Sequence, residues 1–425
     1  MPSTWPVVAL GDVAETALGK MLDAGRPKGA VETPYLRNVN VQWGRIDAAD
    51  VATVPLSDNE RSRFALQAGD LLVCEGGAIG RAAIWPGGCE IAYQKALHRV
   101  RGRGDVELRW LRYLLEHYDS TGVLAARATG STIKHLPQVQ LRQLPVPLPS
   151  LAQQRRILDV LEDHLSRLDA GLGQLRSARR RSNSLRESVL RQELLGRACG
   201  SERSQRRLLN ADVDDGELQD LPAGWRWQRL HEVADVVGGV TKDASKQADP
   251  SFVEVPYLRV ANVQRGRLDL RVISRIRVPP AKLEQLRLHP GDVLMNEGGD
   301  RDKLGRGWVW SGQIADCITQ NHVFRARPQL DVIHPKLLSW CANTIGGPWC
   351  ERNGKQSVNL ASISLKRIRL MPVPVPPLDM QQGMVERLER VHEHSARLTA
   401  AIDGQLTRAA GLRRSLLAAA FSGGL

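Results

Sequence analysis

The chain has 425 residues and a mass of 47.0 kDa, with 42% hydrophobic and 25% charged residues. That length suggests about three structural units at ~150 residues each, and the composition excludes a mostly disordered chain. No apolar run approaches the ~18 residues of a membrane span, and the N-terminal stretch shows no basic start followed by an apolar segment, so no secretory signal is read. Six cysteines lack any CxxC pair, which argues against a disulfide framework or zinc site and points to a reducing cytoplasm. Lys+Arg total 59 against 46 Asp+Glu, a net charge of +13, and 48 of the 59 bases are arginine. Arginine's planar fork suits phosphates and guanine edges, so a nucleic acid is the favoured partner. High genomic GC content also raises arginine, but it does not explain the net charge.

The sequence repeats itself. PYLRNVNVQWGRID from Pro34 and PYLRVANVQRGRLD from Pro256 are identical at ten of fourteen positions, offset by 222. LQAGDLLVCEGG from Leu66 and LHPGDVLMNEGG from Leu288 keep the same offset. Weaker blocks follow in the same order: GSTIKHL with GKQSVNL, and LPVPLPSLAQQ with MPVPVPPLDMQQ. In chain order, each copy begins with short apolar runs between Gly/Pro/Asn turns, of which DLLVCEG, RAAIWPG and KALHRVR read as strands. ELRWLRYLLEHY and HPKLLSWCANTI read as short helices. All ten tryptophans fall in these parts, which therefore hold the compact cores. The Pro-rich stretches PVPLP and PVPVPP are expected to end the sheet region as extended connectors.

A long helix follows each connector. In the second copy, Met384, Leu388, Val391, Ser395, Leu398, Ile402, Gln405, Ala409, Leu412, Leu416 and Ala419 form an alternating heptad seam. In the first, Leu158, Leu161, Leu165, Leu168, Leu172 and Leu175 do the same, continued imperfectly by Leu185, Val189 and Leu194. Two such helices in one chain are expected to pack as an antiparallel coiled coil, with homodimerisation as the alternative. The expected organisation is an α/β (α+β) domain over 1–149, a central helix over 150–205, a linker and second α/β domain over 206–377, and a C-terminal helix over 378–425.

Signatures of catalysis are missing. There is no GxxxxGK[ST], no GxGxxG after a strand, no HExxH and no GxSxG. The tetrapeptide with which an amino-methyltransferase grips a flipped adenine is also absent. His392 and His394 lie two apart on a helix and so face different sides, which argues against a metal site. Glu75 and Glu297, each before Gly-Gly, read as strand ends and tight turns and not as paired catalytic carboxylates. The chain reads as a non-catalytic binding and assembly protein.

LGDVAE, the YLRNVNV and YLRVANV pair, GDLLV…G…GR and the two helix starts LPVPLPSLAQQRRI and MPVPVPPLDMQQ resemble the DNA-specificity subunits of type I restriction–modification systems. The resemblance covers nearly the whole chain, although MQQGMVERL is weaker than the family's usual glutamate-glutamine-arginine run. It implies tandem target-recognition domains, each reading half of a split, asymmetric double-stranded site. It also implies helices that space the domains and dock two methyltransferase subunits, joined by nuclease–translocase subunits. S-adenosylmethionine and ATP/Mg would then belong to those partners, and this chain would carry no cofactor and no metal. Two alternatives stand beside it: a specificity subunit of a system cutting on both sides of its site, and a coiled-coil scaffold for other partners.

The repeat sorts the candidate DNA-binding residues. Polar positions identical in both copies serve the fold or grip phosphate: Arg37/Arg259, Asn40/Asn262, Gln42/Gln264 and Arg45/Arg267, with a turn held by Asn and Gly as the alternative role. Polar positions that differ are candidates for reading two different half-sites. These are Trp43 against Arg265, Lys95 against Asn321, and Ser131, Thr132, Lys134 and His135 against Lys355, Gln356, Val358 and Asn359. The glycine loop GGAIGR also differs from GGDRDKLGR, which adds Arg301 and Lys303. The stretch Arg176–Arg207 carries ten arginines against three glutamates and faces either DNA or an acidic partner; an acidic linker from Asp212 to Asp220 follows.

Overall fold

Both repeats fold on one plan. The computed structural model describes residues 5–22, 29–130, 134–196, 203–204, 212–243, 247–357 and 360–425. The chain forms two compact units, Met1–Ser177 with Ile402–Leu425, and Ala178–Ala401.

In the first unit a four-stranded antiparallel sheet runs in the order Ala14–Leu18, Leu97–Gly102, Leu71–Cys74, Ala82–Ile84. A second, three-stranded sheet places Val31–Leu36 between Ala52–Leu56 and Ala92–Tyr93, the last pairing being parallel. The second unit repeats this order with Ala234–Gly238, Val323–Pro328, Val293–Asn296 and Gly307–Val309, and with Val253–Leu258 between Ser274–Val278 and Ile318–Thr319. The repeated Gly-Asp before the third strand is a fastening point. Asp70 is buried and receives Arg101 on both oxygens, at 2.6 and 2.9 Å; Asp292 receives Arg327 in the same way, at 2.7 and 2.9 Å. These bidentate pairs bind neighbouring strands, and removing one partner would strand a buried charge.

Helix Leu108–Ser120 forms because Trp110, Leu111, Leu114, Leu115 and Tyr118 share one face, which is buried. It ends before Gly122, whose φ of 79° a side chain would oppose. Its counterpart, Pro335–Cys341, continues as a π-helical segment over Ala342–Gly346. The π-turn carries Asn343, whose amide donates to Gly307 O and Ser339 O and accepts from Gly307 N.

The Pro-rich stretches are strands, contrary to the expectation that they end the sheet. Pro145–Pro147 pairs with Val7–Ala9, and Pro372–Val375 pairs with Arg226–Arg229. Leu10 N donates to Leu144 O and Leu148 N to Pro6 O, so in this register Val146 faces Val8 as a hydrogen-bonded pair and both prolines fall between. Alternate prolines thus occupy the positions whose missing N–H the ladder never needs.

The long helices are Leu151–Leu194 and Leu378–Ser422. Each is keyed at its start by a fully buried glutamine. Gln154 donates to Asp105 O and Pro149 O and accepts from Glu107 N; Gln381 donates to Val332 O and Pro376 O and accepts from His334 N. The helices pair antiparallel, Asp169 with Arg413 at 2.9 Å in the first unit and Glu193 with Arg387 at 3.0 Å in the second. The seam departs from the expected heptads. Leu398 and Leu412 are 49% and 52% exposed, and Leu185 is 65% exposed, whereas Leu417, Ala420 and Phe421 are buried. An α-helix drifts about 20° per heptad, so over five heptads the inward stripe moves by about one residue. The buried positions accordingly pass from Met384 and Leu388 to Leu417 and Phe421.

Phe421 lies 4.7 Å from Trp110 and 5.5 Å from the His117 ring, in the same core as Leu158, Leu161 and Leu165. Phe421→Ala is expected to destabilise the first unit by about 3–5 kcal/mol, read as a lower denaturant midpoint. His98 is fully buried, and burial pushes its pKa below the ordinary 6.5; Phe324 stands at the equivalent place in the second unit. The unfolded chain therefore takes up this proton first as the pH falls, so the first unit is fully stable above 6.5 and loses stability below it, down to the lowered folded value. His98→Phe should reduce the loss of unfolding midpoint between about pH 7.5 and about pH 5.5; an unchanged loss would exclude His98 as its source.

Candidate nucleic-acid interface

The two loops that differ most between the copies meet at one strand end in each unit. In the first unit, strand Leu71–Cys74 runs into Glu75, whose N–H donates to Ala96 O at 2.9 Å and whose carbonyl accepts Leu136 N at 2.7 Å. This draws the 129–136 segment onto the glycine loop: Gly76 bridges to His135, and Thr129 and His135 exchange two hydrogen bonds of 2.8 Å. A side chain at Gly76 would meet the His135 ring at 3.1 Å, and Gly77 and Gly80 both have φ near 74°. Glycine is thus required by both space and backbone. Lys134 and His135 are exposed on this ledge.

The second unit builds the same junction more fully. Glu297 N donates to His322 O and Ile363 N donates to Glu297 O, each at 2.9 Å. Gly298–Gly299, Ala361–Ser362 and Lys355–Gln356 then form a small three-stranded sheet. Lys355 and Gln356 are exposed on its outer strand. Arg301 and Lys303 sit in a 3-10 turn beside it; Arg301 Nε donates to Glu351 O, and Lys303 is ion-paired with Asp300. The carboxylate of Glu297 faces His322 Nδ1 at 2.6 Å, a contact that residue type alone did not suggest. Ser131, Thr132, Val358 and Asn359 lie outside the described residues.

The identical polar residues build a turn. Asn40 is buried; its oxygen accepts Arg37 N at 2.8 Å and its amide donates to Asp47 O and Asp50 O at 2.9 and 2.8 Å. Asn262 makes the same three bonds with Arg259 N, Asp269 O and Val272 O. Gln42 donates to Val39 O and Gln264 to Ala261 O. Arg37 is ion-paired with Asp50 at 3.1 Å, while Arg259 stays half-buried. Arg45 and Arg267 are exposed.

The remaining candidates line clefts and a groove. Arg265 donates to Asn343 O at 2.6 Å and Asp302 O at 2.9 Å, in a cleft also lined by Leu190, Arg191 and His392 of the long helices. Trp43 faces the corresponding cleft of the first unit, with Leu165, Asp169 and Arg413. Lys95 lines a groove with Lys20, Arg63 and Arg99. Of the arginine-rich stretch, Arg176, Arg179, Arg180, Arg181 and Arg191 are exposed, and most of the residues beyond 196 lie outside the described ones. The acidic linker is no free tether. Asp215 takes Arg229 on both oxygens at 2.8 and 2.7 Å and also accepts Trp349 Nε1 at 3.0 Å, and Asp214 exchanges two bonds with Asn353.

Among the described residues, no group of three or more His, Cys, Asp and Glu is placed to hold a metal ion, and no helix is long and apolar enough to cross a membrane.

The family model for the type I restriction modification DNA specificity domain matches residues 2–174 and 222–408. The EcoBI specificity subunit of Escherichia coli is 23% identical over 302 residues, which cover 71% of this chain and 62% of that protein. The StySPI specificity subunit of Salmonella potsdam is 21% identical over 400 residues, 92% of this chain and 82% of that one. Among solved structures, a chain from a type I R-M system studied for its complex assembly and conformational transition superposes with a TM-score of 0.73 at 20% identity, covering 100% of this chain and 99% of that one. The HsdS subunit from Thermoanaerobacter tengcongensis superposes with a TM-score of 0.52 at 20% identity, covering 100% and 98%. These structural likenesses are likenesses of fold. With both repeats matched by the family model, the chain belongs to the type I restriction modification DNA specificity domain family.

Proposed function

We propose that this chain is the DNA-recognition subunit of a type I restriction–modification complex, reading one half of a bipartite, asymmetric duplex site with each repeat. The recognition domains are residues 1–149 and 206–377, and the long helices Leu151–Leu194 and Leu378–Ser422 dock two methyltransferase subunits and, through them, nuclease–translocase subunits. The chemistry, with its S-adenosylmethionine and its ATP and Mg, resides on those partners. One observation carries the reading. Two units with the same strand order bring the same two loops together at the same strand end, and it is in those loops that their polar side chains diverge. A conserved scaffold with divergent exposed polar residues suits a pair of readers for two different sequences.

The division of labour is testable within one unit. Asn262→Ala strips several buried hydrogen bonds and should lower stability by about 2–3 kcal/mol. Lys355→Ala, at an exposed site, should leave the unfolding midpoint unchanged, weaken duplex binding by the assembled complex and reduce its salt slope by about one. Exchanging residues 1–149 for the equivalent part of a relative should change one half of the methylated motif and leave the other intact, as read by sequencing methylated DNA. A chimera that altered both halves together would sink the modular reading.

A further inference from the structure

The repeated turn fixes its ends and exposes its crown. Arg37, Asn40, Val41 and Gln42 recur as Arg259, Asn262, Val263 and Gln264, but between them Asn38-Val39 is replaced by Val260-Ala261. Both crown carbonyls are held in place. In the first unit Arg81 donates to Asn38 O at 2.8 Å and Gln42 donates to Val39 O at 2.9 Å. In the second, Asn296 donates to Val260 O at 3.3 Å and Gln264 to Ala261 O at 2.7 Å. The backbone of the crown is therefore rigid in both units, whatever its side chains.

Those side chains have little to do for the fold of the first unit. Val39 is 57% exposed, an apolar β-branched residue at the tip of a polar turn. Asn38 is half-buried, and among the described residues its side-chain amide has no hydrogen-bond partner. It lies against the glycine loop, where a side chain on Gly77 would meet Asn38 Nδ2 at 3.3 Å. The glycine leaves that amide uncovered at the edge of the ledge that carries Lys134 and His135.

We propose that Asn38 and Val39 are base-reading residues of the first recognition domain, and that Val260 and Ala261 are their counterparts in the second. The proposal rests on the DNA-recognition reading above and adds to it a position and a base preference. An asparagine amide presents a donor and an acceptor that match N6 and N7 of adenine in the major groove, and a valine methyl packs on the C5 methyl of thymine. The first domain therefore reads an A·T pair beneath its crown. The second crown carries no amide, so its contact there is apolar only. Rigid carbonyl anchoring means that the side chains arrive pre-ordered, which favours discrimination over adaptability.

The test uses the full chain assembled with its methyltransferase partner. Asn38→Ala and the double variant Asn38→Val with Val39→Ala are compared with wild type on duplexes carrying every single-base change in both half-sites. The expected result is a loss of discrimination on the order of 10- to 100-fold at one or two adjacent A·T positions of the first half-site, with the second half-site unchanged. A third variant replaces residues 129–136 with the corresponding sequence segment of the second unit. If that variant alters first-half preference while both crown variants keep wild-type preference at every position, the crown proposal is overturned and the recognition reading stands. If wild-type complex shows no preference for any duplex, the recognition reading itself fails. Asn38→Ala leaves both carbonyl anchors in place, so it carries the test if the double variant does not fold.

Discussion

The end of each unit that carries the divergent loops hangs on the main chain of one residue. Glu75 gives its N–H to Ala96 and its carbonyl to Leu136, and Glu297 does the same with His322 and Ile363. Three stretches distant in sequence, the end of a central strand, the start of its neighbour and the segment at Leu136 or Ile363, are thereby joined by single hydrogen bonds. These two bonds use backbone atoms alone, so they do not depend on the side chain of Glu75 or Glu297. The glycines that follow the first of these residues let the segment ending at Leu136 approach without collision. A surface that must vary in sequence but not in shape is well served by such an arrangement.

The rest of each unit protects that junction from strain. Buried bidentate arginine–aspartate pairs fix the register of the central strands, and the Asn40 and Asn262 turns bring a second loop against the same strand end. At the opposite extreme of polarity, Trp110, Phe421 and the leucines of the long helix form an apolar core that closes the first unit over part of the second helix. Polar fastening thus positions the divergent loops, while apolar packing attaches the helices.

Much of this was legible in the sequence because the chain carries its own comparison. A repeat at a near-constant offset showed that one domain plan occurs twice, and it marked which loops diverge. Three features were not legible from pattern. The prolines of PVPLP read as a break, because their effect depends on which neighbour their nitrogen faces, and that is a matter of register. The helix seam was placed in strict heptads, whereas the real helix drifts, so Leu412 turns outward and Phe421 inward. The change of residue type at position 43/265 did not reveal that Arg265 donates to two main-chain carbonyls. Direction of a side chain is set by tertiary packing, which no one-dimensional pattern contains. Conversely, the change from Asn38-Val39 to Val260-Ala261 stood in plain view within an identical block, and only the anchored crown gave it meaning.

The first unit's dependence on residues 402–425 bears on how the protein is made. The ion pair of Arg413 with Glu116 joins residues 297 apart, and Phe421 completes a core begun at Trp110. Contacts of such separation close late and carry a large loop-closure entropy. A nascent chain leaving the ribosome therefore lacks the Phe421 side of the Trp110 core through most of translation. A product that ends before this segment leaves Trp110 without its Phe421 neighbour. The first unit thus gains its full packing only when residues 402–425 have been made.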